Sequence, residues 1–195
     1  MIEYAPSTAL VVVDVQNDFA HPDGSLYVSG GEDAVGFINE QIAAAADAGA
    51  TVVYTQDWHP ESTPHFAKDG GIWPVHCVAD SWGAAFHDHL DVIDGPVIHK
   101  GSGGEDGYSA FTVRDPVTAE ETPTGLAEEL RARGIEGVVV LGLATDYCIK
   151  ETALDGVRLG FATTVLADGI RAVNLAPGDG ARAVALMASS GITVF

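Results

Sequence analysis

Short, wholly apolar runs alternate along this chain with segments in which apolar residues recur every three or four positions. That rhythm predicts an α/β protein built on a parallel sheet. Six strand candidates stand out: Thr8 to Val15, Thr51 to Gln56, Pro96 to His99, Gly137 to Gly142, Phe161 to Ala167, and Ile192 to Val194. The first is apolar at consecutive positions, as expected of a strand covered on both faces. Between them lie helical patterns. Ala34 to Ala48 places Phe37, Ile38, Ile42 and Ala45 on one stripe and stops at Gly49. Pro123 to Arg133 ends at Gly134, Thr145 to Leu159 ends at Gly160, and a last helix covers Gly180 to Ala188. The expected architecture is a three-layer, doubly wound, mostly parallel sheet of about six strands flanked by helices. One domain spanning residues 1–195 is expected, with no linker or repeat.

Two stretches break the rhythm, Asp57 to Ser81 and Gly101 to Pro123. Loops this long inside a compact domain are usually functional. In open α/β sheets ligands gather at the carboxyl ends of the strands. There the chain places Asp14 after the first strand, Asp57-Trp58-His59 after the second, Lys100 after the third, and Gly142 to Cys148 after the fourth. Cys148 falls in the first turn of the helix opened by Thr145. Free backbone N–H groups and the helix dipole favour a thiolate there and could hold an oxyanion. A neighbouring Lys100 ammonium would lower the thiol pKa further, and Asp14 could take its proton.

The stretch from Asp57 to Ser81 carries candidate metal chemistry. If the chain stays extended past the second strand, Asp57 and His59 turn to the same side. Pro64, Gly70, Gly71 and Pro74 let His65 and His76 fold back toward them. One carboxylate with three imidazoles suits a divalent transition ion: zinc first, iron or manganese next. His21, His87, His89 and His99 have no such context, Cys77 reads as a packing residue, and Gly101-Ser102-Gly103-Gly104 reads as a flexible surface turn rather than a phosphate loop.

Charge narrows the partners. With 28 acidic against 9 basic residues and a formal charge of −19, the surface repels nucleic acid and anionic lipid. The opening Met1-Ile2-Glu3-Tyr4 is acidic where a signal peptide is basic, and Leu10 to Val13 is too short to span a bilayer. Only Cys77 and Cys148 are present, too few for a disulfide scaffold. A cytoplasmic location is the expectation, with oligomeric state left open between a monomer and a homo-oligomer.

The motifs Val13-Asp14-Val15-Gln16-Asn17-Asp18-Phe19, Asp57-Trp58-His59, Trp73-Pro74-Val75-His76-Cys77-Val78, His99-Lys100-Gly101, Tyr108-Ser109-Ala110-Phe111 and Gly142-Leu143-Ala144-Thr145-Asp146-Tyr147-Cys148 together resemble the isochorismatase-like cysteine hydrolases. Within that family they resemble the nicotinamidase (pyrazinamidase) branch. The resemblance implies a catalytic triad of Asp14, Lys100 and Cys148, and a metal held by Asp57, His59, His65 and His76. It further implies a cis peptide before Ala144, an oxyanion hole from the N–H groups of Ala144 and Cys148, and a substrate ring flanked by Phe19 and Trp73. The substrate it implies is nicotinamide, cleaved to nicotinate and ammonia. A related hydrolase acting on another small amide or an isochorismate-like substrate is the alternative.

Overall fold

A computed structural model describes residues 2–195; Met1, part of the acidic opening stretch, lies outside the described residues. In chain order the elements are β1 (Thr8–Val13), α1 (Asn17–Ala20), α2 (Gly31–Asp47), β2 (Thr51–Asp57) and a 3-10 turn at Ala67–Asp69. These are followed by β3 (Val97–Lys100), β4 (Thr112–Arg114), β5 (Glu121–Pro123), α3 (Leu126–Ala132) and β6 (Gly137–Leu143). A π-helical turn at Thr145–Ile149 leads into α4 (Lys150–Arg158), then β7 (Ala162–Arg171), α5 (Asp179–Ser189) and β8 (Thr193–Val194).

Six strands form one sheet in the order β3-β2-β1-β6-β7-β8, every pairing parallel. β4 and β5 form a separate antiparallel hairpin. Period-2 alternation divides β1 between two cores. Leu10 and Val12 face α2, meeting Val35, Ile38 and Ile42 together with Val52, Tyr54 and Leu141. Ala9, Val11 and Val13 face the opposite layer, meeting Leu126 and Leu130 of α3, Ile149 and Ala153 around α4, and Met187 of α5. Ile38 and Leu130 are fully buried, and each such side chain contributes roughly 1.5–3 kcal/mol of burial free energy. Helices thus cover both faces of a parallel sheet, the expected three-layer arrangement.

The elements differ from expectation in four places. β7 continues past Ala167 to Arg171, with a register shift against β6 between Val140 and Gly142. The bulge carries Asp168 and Gly169 within the strand, polar and small residues that read as a turn in sequence. The expected helix from Pro123 begins only at Leu126, because Glu121–Pro123 pairs with β4. β1 stops at Val13 where the strand was expected to run to Val15, and a short helix follows at Asn17–Ala20. The segment from Thr145 opens as a π turn before becoming α-helical. Among the described residues, no helix is long and apolar enough to cross a membrane.

The sheet order puts β3, β2, β1 and β6 side by side, so their carboxyl ends form one continuous rim. Gly142 allows the close approach of β6 to β1 there. At its φ of +118°, a Cβ would sit 2.0 Å from the Val13 carbonyl oxygen, so any side chain would force the two strands apart.

Candidate active site

Lys100 ends β3 and is completely buried. Its ammonium has three hydrogens and three acceptors: Asp14 Oδ2 at 2.7 Å, Asp57 Oδ1 at 2.8 Å, and the Gly107 carbonyl. Burial alone would lower its pKa, but the two carboxylates outweigh it and hold the ammonium well above its usual range. Lys100 is therefore a fixed cation and not a base.

Asp14 lies just beyond β1 with φ at 51°, a left-handed conformation that takes the chain out of the strand. Its backbone N–H meets the Thr55 carbonyl at 3.3 Å and the Thr55 hydroxyl at 3.2 Å. The same hydroxyl donates to Asp14 Oδ1 at 2.5 Å. Burial, together with repulsion from Asp57, outweighs the pull of Lys100 and pushes the Asp14 carboxyl up to about 6. Asp57 is also fully buried, yet Lys100 and His59 overcome that burial and hold its carboxyl well below the usual range. Two carboxylates on one ammonium are thus driven apart: Asp57 stays ionised, and Asp14 exchanges a proton near neutrality.

Cys148 Sγ closes this cluster, its ligand atom lying within 4.8 Å of those of Asp14 and Asp57. The thiol is not depressed as the helix-start position and Lys100 suggested. Burial comes first and pushes it well above its usual range; Asp14 and Asp57 add to the rise, and Lys100 only partly offsets them. The resting side chain is a neutral thiol beside a carboxylate able to take its proton. The peptide joining Leu143 to Ala144 is cis, and Ala144 and Cys148 both line the cleft above the cluster.

The residues expected to hold a metal also come together. Ring nitrogens of His59, His65 and His76 all lie within 4.8 Å of one another, and all three rings are buried. Asp57 Oδ2 lies 3.8 Å from His59 Nε2 and 3.9 Å from His76 Nε2. Asp57 therefore serves both clusters, with Oδ1 on Lys100 and Oδ2 toward the histidines. His76 Nδ1 is 2.7 Å from the Pro74 carbonyl; donating there leaves its Nε2 lone pair for an ion. Burial lowers the His65 pKa to about 3 and also lowers that of His76, keeping both rings neutral. Both His59 ring nitrogens are buried without a hydrogen-bond partner in the described residues. A buried imidazole with two orphaned nitrogens is costly unless a cation takes one of them, and three imidazoles beside a carboxylate fit a zinc-like ion. Gln16 fixes the main chain of the shared ligand, its amide pairing with both the N–H and the carbonyl of Asp57 at 2.8 Å.

Gly101 belongs to this site and not to a surface turn. It is buried at a φ of +73°, and a Cβ there would meet the His59 ring at 2.4 Å; only the exposed Ser102 and Gly103 behave as expected of that segment.

A narrow cleft opens over both clusters. Phe19 and Trp73 line it as anticipated, together with Tyr108 and Tyr147, which sequence reasoning did not assign. Trp73 Nε1 donates to the Tyr108 hydroxyl at 2.8 Å, and the Trp73 and Tyr147 rings meet edge-on with centroids 4.8 Å apart. Their signal was present in the Tyr108-Ser109-Ala110-Phe111 and Asp146-Tyr147-Cys148 segments, as aromatic residues beside the third and fourth strand ends. Thr55 was also missed; counting back by two from Asp57 along β2 puts it on the same face.

The doubly wound α/β sandwich thus carries a buried Asp-Lys-Cys cluster and a carboxylate–imidazole cluster that could hold a metal ion, side by side at one sheet rim. The chain belongs to the isochorismatase family: the sequence profile of the isochorismatase domain matches residues 8–194. It is 38% identical over 208 residues to the nicotinamidase of Escherichia coli (strain K12), covering 97% of this chain and 95% of that one. The pyrazinamidase of Pyrococcus horikoshii in complex with zinc superposes with a TM-score of 0.86 at 37% identity, covering 97% of this chain and 99% of that chain. PnC1 from L. infantum in complex with nicotinate superposes with a TM-score of 0.88 at 35% identity, covering 100% and 95%.

Proposed function

We propose that this chain is a nicotinamidase that hydrolyses nicotinamide to nicotinate and ammonia through a thioester on Cys148. The observation that carries this reading is one cleft lined by aromatic rings, by Cys148, and by His65 and His76 of the histidine group. Phe19, Trp73 and Tyr147 would flank a flat heteroaromatic ring whose carboxamide lies over Cys148. The relationships to a nicotinamidase and to a nicotinate complex support the same substrate.

Asp14 takes the Sγ proton, and the thiolate attacks the carboxamide carbon to form a C–S bond. The resulting oxyanion faces the N–H groups of Ala144 and Cys148. Asp14 then returns the proton to nitrogen, the C–N bond breaks, and ammonia leaves. Asp14 accepts a proton from water as it adds to the thioester; nicotinate departs and Cys148 regains its proton. Lys100 keeps its charge throughout and holds Asp14 and Asp57 in place. Asp57, His59, His65 and His76 would hold one divalent ion, zinc by donor set, which supplies a Lewis-acidic point for orienting the ring or water. The cytoplasm suits this enzyme, whose two cysteines are both free thiols.

Ammonia release measured over a panel of small aromatic amides, alongside pyruvate release from isochorismate, tests the reading. Nicotinamide and its close analogues should be turned over and isochorismate should not. Pyruvate formation without ammonia release would overturn it.

A further inference from the structure

Thr55 occupies an unusual place for a hydroxyl. It is fully buried in β2, two residues before Asp57, and it is the register partner of Val13, one residue before Asp14. Its Oγ1 accepts from the Asp14 backbone N–H at 3.2 Å and donates to Asp14 Oδ1 at 2.5 Å. The other oxygen, Oδ2, receives the Lys100 ammonium at 2.7 Å. One side chain therefore grips Asp14 at two points, main chain and carboxylate. It does so where Asp14 leaves β1 in a left-handed conformation, at the last backbone bond from β1 to β2, Asp14 N–H to the Thr55 carbonyl at 3.3 Å.

We infer that Thr55 is a positioning residue for the reaction: its hydroxyl fixes the rotation of the Asp14 carboxylate so that the carboxylate faces the Cys148 thiol. A hydroxyl has a single hydrogen, and here it is spent on Oδ1. Lys100 alone would anchor one oxygen and leave the carboxylate free to pivot about it. With both oxygens held, the carboxylate plane is determined, and proton transfer is sensitive to misplacement on the order of 1 Å. Without the hydroxyl, Oδ1 is also a buried charged atom short of a donor. The inference rests on Asp14 being the proton acceptor for Cys148.

The test compares Thr55→Val, nearly isosteric but without a hydroxyl, with Thr55→Ser, which keeps the donor and loses a methyl. Two readouts are taken on metal-loaded protein: steady-state kinetics on nicotinamide, and the rate at which iodoacetamide alkylates Cys148, followed by peptide mass spectrometry. Thr55→Val should lower kcat about 10- to 100-fold, the range set by one hydrogen bond to a charged group. KM and metal content should stay near wild type, and Cys148 alkylation should slow in parallel. Thr55→Ser should recover most of both rates. A wild-type kcat in Thr55→Val, or equal losses in Thr55→Val and Thr55→Ser, would overturn the inference, since packing and not the hydroxyl would then be at work. If Thr55→Val does not fold, Thr55→Ala against Thr55→Ser makes the same comparison. Alkylation needs no substrate: if wild type fails to turn over nicotinamide while alkylation still slows in Thr55→Val, the substrate assignment fails and the role of Thr55 stands.

Discussion

Asp57 and Lys100 are register partners across the β2–β3 ladder, and Lys100 Nζ lies 2.8 Å from Asp57 Oδ1. Residues level with each other on parallel strands present their side chains to one face, so the ion pair follows directly from the sheet register. The consequence is a single cation shared by two sites: Lys100 holds Asp14 for the thiol, and Asp57 turns its second oxygen toward His59 and His76. The Asp-Lys-Cys cluster and the carboxylate–imidazole cluster are one electrostatic unit.

Removing that cation should therefore damage both sites. Lys100→Met leaves Asp14 and Asp57 buried without their counter-charge, a loss of about 3–5 kcal/mol in comparable buried pairs. The Asp57 carboxyl would then rise above the unfolded value of about 3.9, and that of Asp14, already raised to about 6, would rise further. A carboxyl raised in the folded state stabilises below its unfolded pKa and loses that stabilisation as pH climbs. Urea unfolding of metal-free protein should show the variant far less stable than wild type at pH 7.5, with the gap narrowing toward pH 5. A gap independent of pH would contradict the shared-cation account.

The Asp14 carboxyl, pushed up to about 6 by burial first and by Asp57 second, must be ionised to accept the thiol proton. On nicotinamide, kcat/KM should fall as pH drops through about 6, because that ratio reports the free enzyme. Asp14→Asn should remove turnover by at least about 10³-fold across the whole profile. An acid limb that persists in a still-active Asp14→Asn variant would assign it to another group.

His59, with both ring nitrogens buried and unpartnered, is the residue most dependent on an ion. Adding zinc to chelator-treated protein should raise its Tm, and His59→Ala should abolish most of that rise. The pH dependence has a definite sign. His65 is lowered to about 3 by burial and by neighbouring His59, against about 6.5 when unfolded. A histidine depressed in the folded state binds fewer protons than the unfolded chain between those values. Metal-free protein should thus lose stability as pH falls below about 6.5. Thermal melts from pH 8 to 5, with and without zinc, read both effects.

Gly101 should be as sensitive as a ligand. Gly101→Ala places a methyl 2.4 Å from the His59 ring at a φ of +73°, so the ring must move. Zinc affinity, measured by chelator competition, should weaken about 10- to 100-fold, as when a residue supporting a metal ligand is lost. Gly134→Ala meets nothing within 4 Å at the same φ of +73°; it should cost about 1 kcal/mol of stability and leave zinc affinity alone.

The parts of this site that were legible in sequence share a cause. β1, β2 and β6 are buried on both faces and read as apolar runs, so the polar residue ending each run marks the rim. Asp14, Asp57 and the segment leading to Cys148 could be placed that way, and Lys100 by the shorter third run. Period-2 alternation kept Asp57 and His59 together while sending Trp58 and His99 elsewhere, where their rings stack at 4.3 Å. The thiol pKa was not legible, because position at a helix start speaks for a thiolate while burial, a tertiary property, decides the opposite. The sharing of Asp57 required the β2–β3 register, which no local pattern carries. Likewise, β7 could not be followed past Ala167, since a bulge and a turn use the same residues.

Cys148 as the nucleophile is the central claim, and trapping the acyl-enzyme tests it most directly. Wild-type protein mixed with nicotinamide, quenched in acid within the first turnovers and digested, should yield the Cys148 peptide carrying a nicotinoyl group. Cys148→Ala, with the same zinc content, should yield no such peptide and release ammonia at least about 10⁴-fold more slowly. Ammonia release at the wild-type rate from Cys148→Ala would contradict the account.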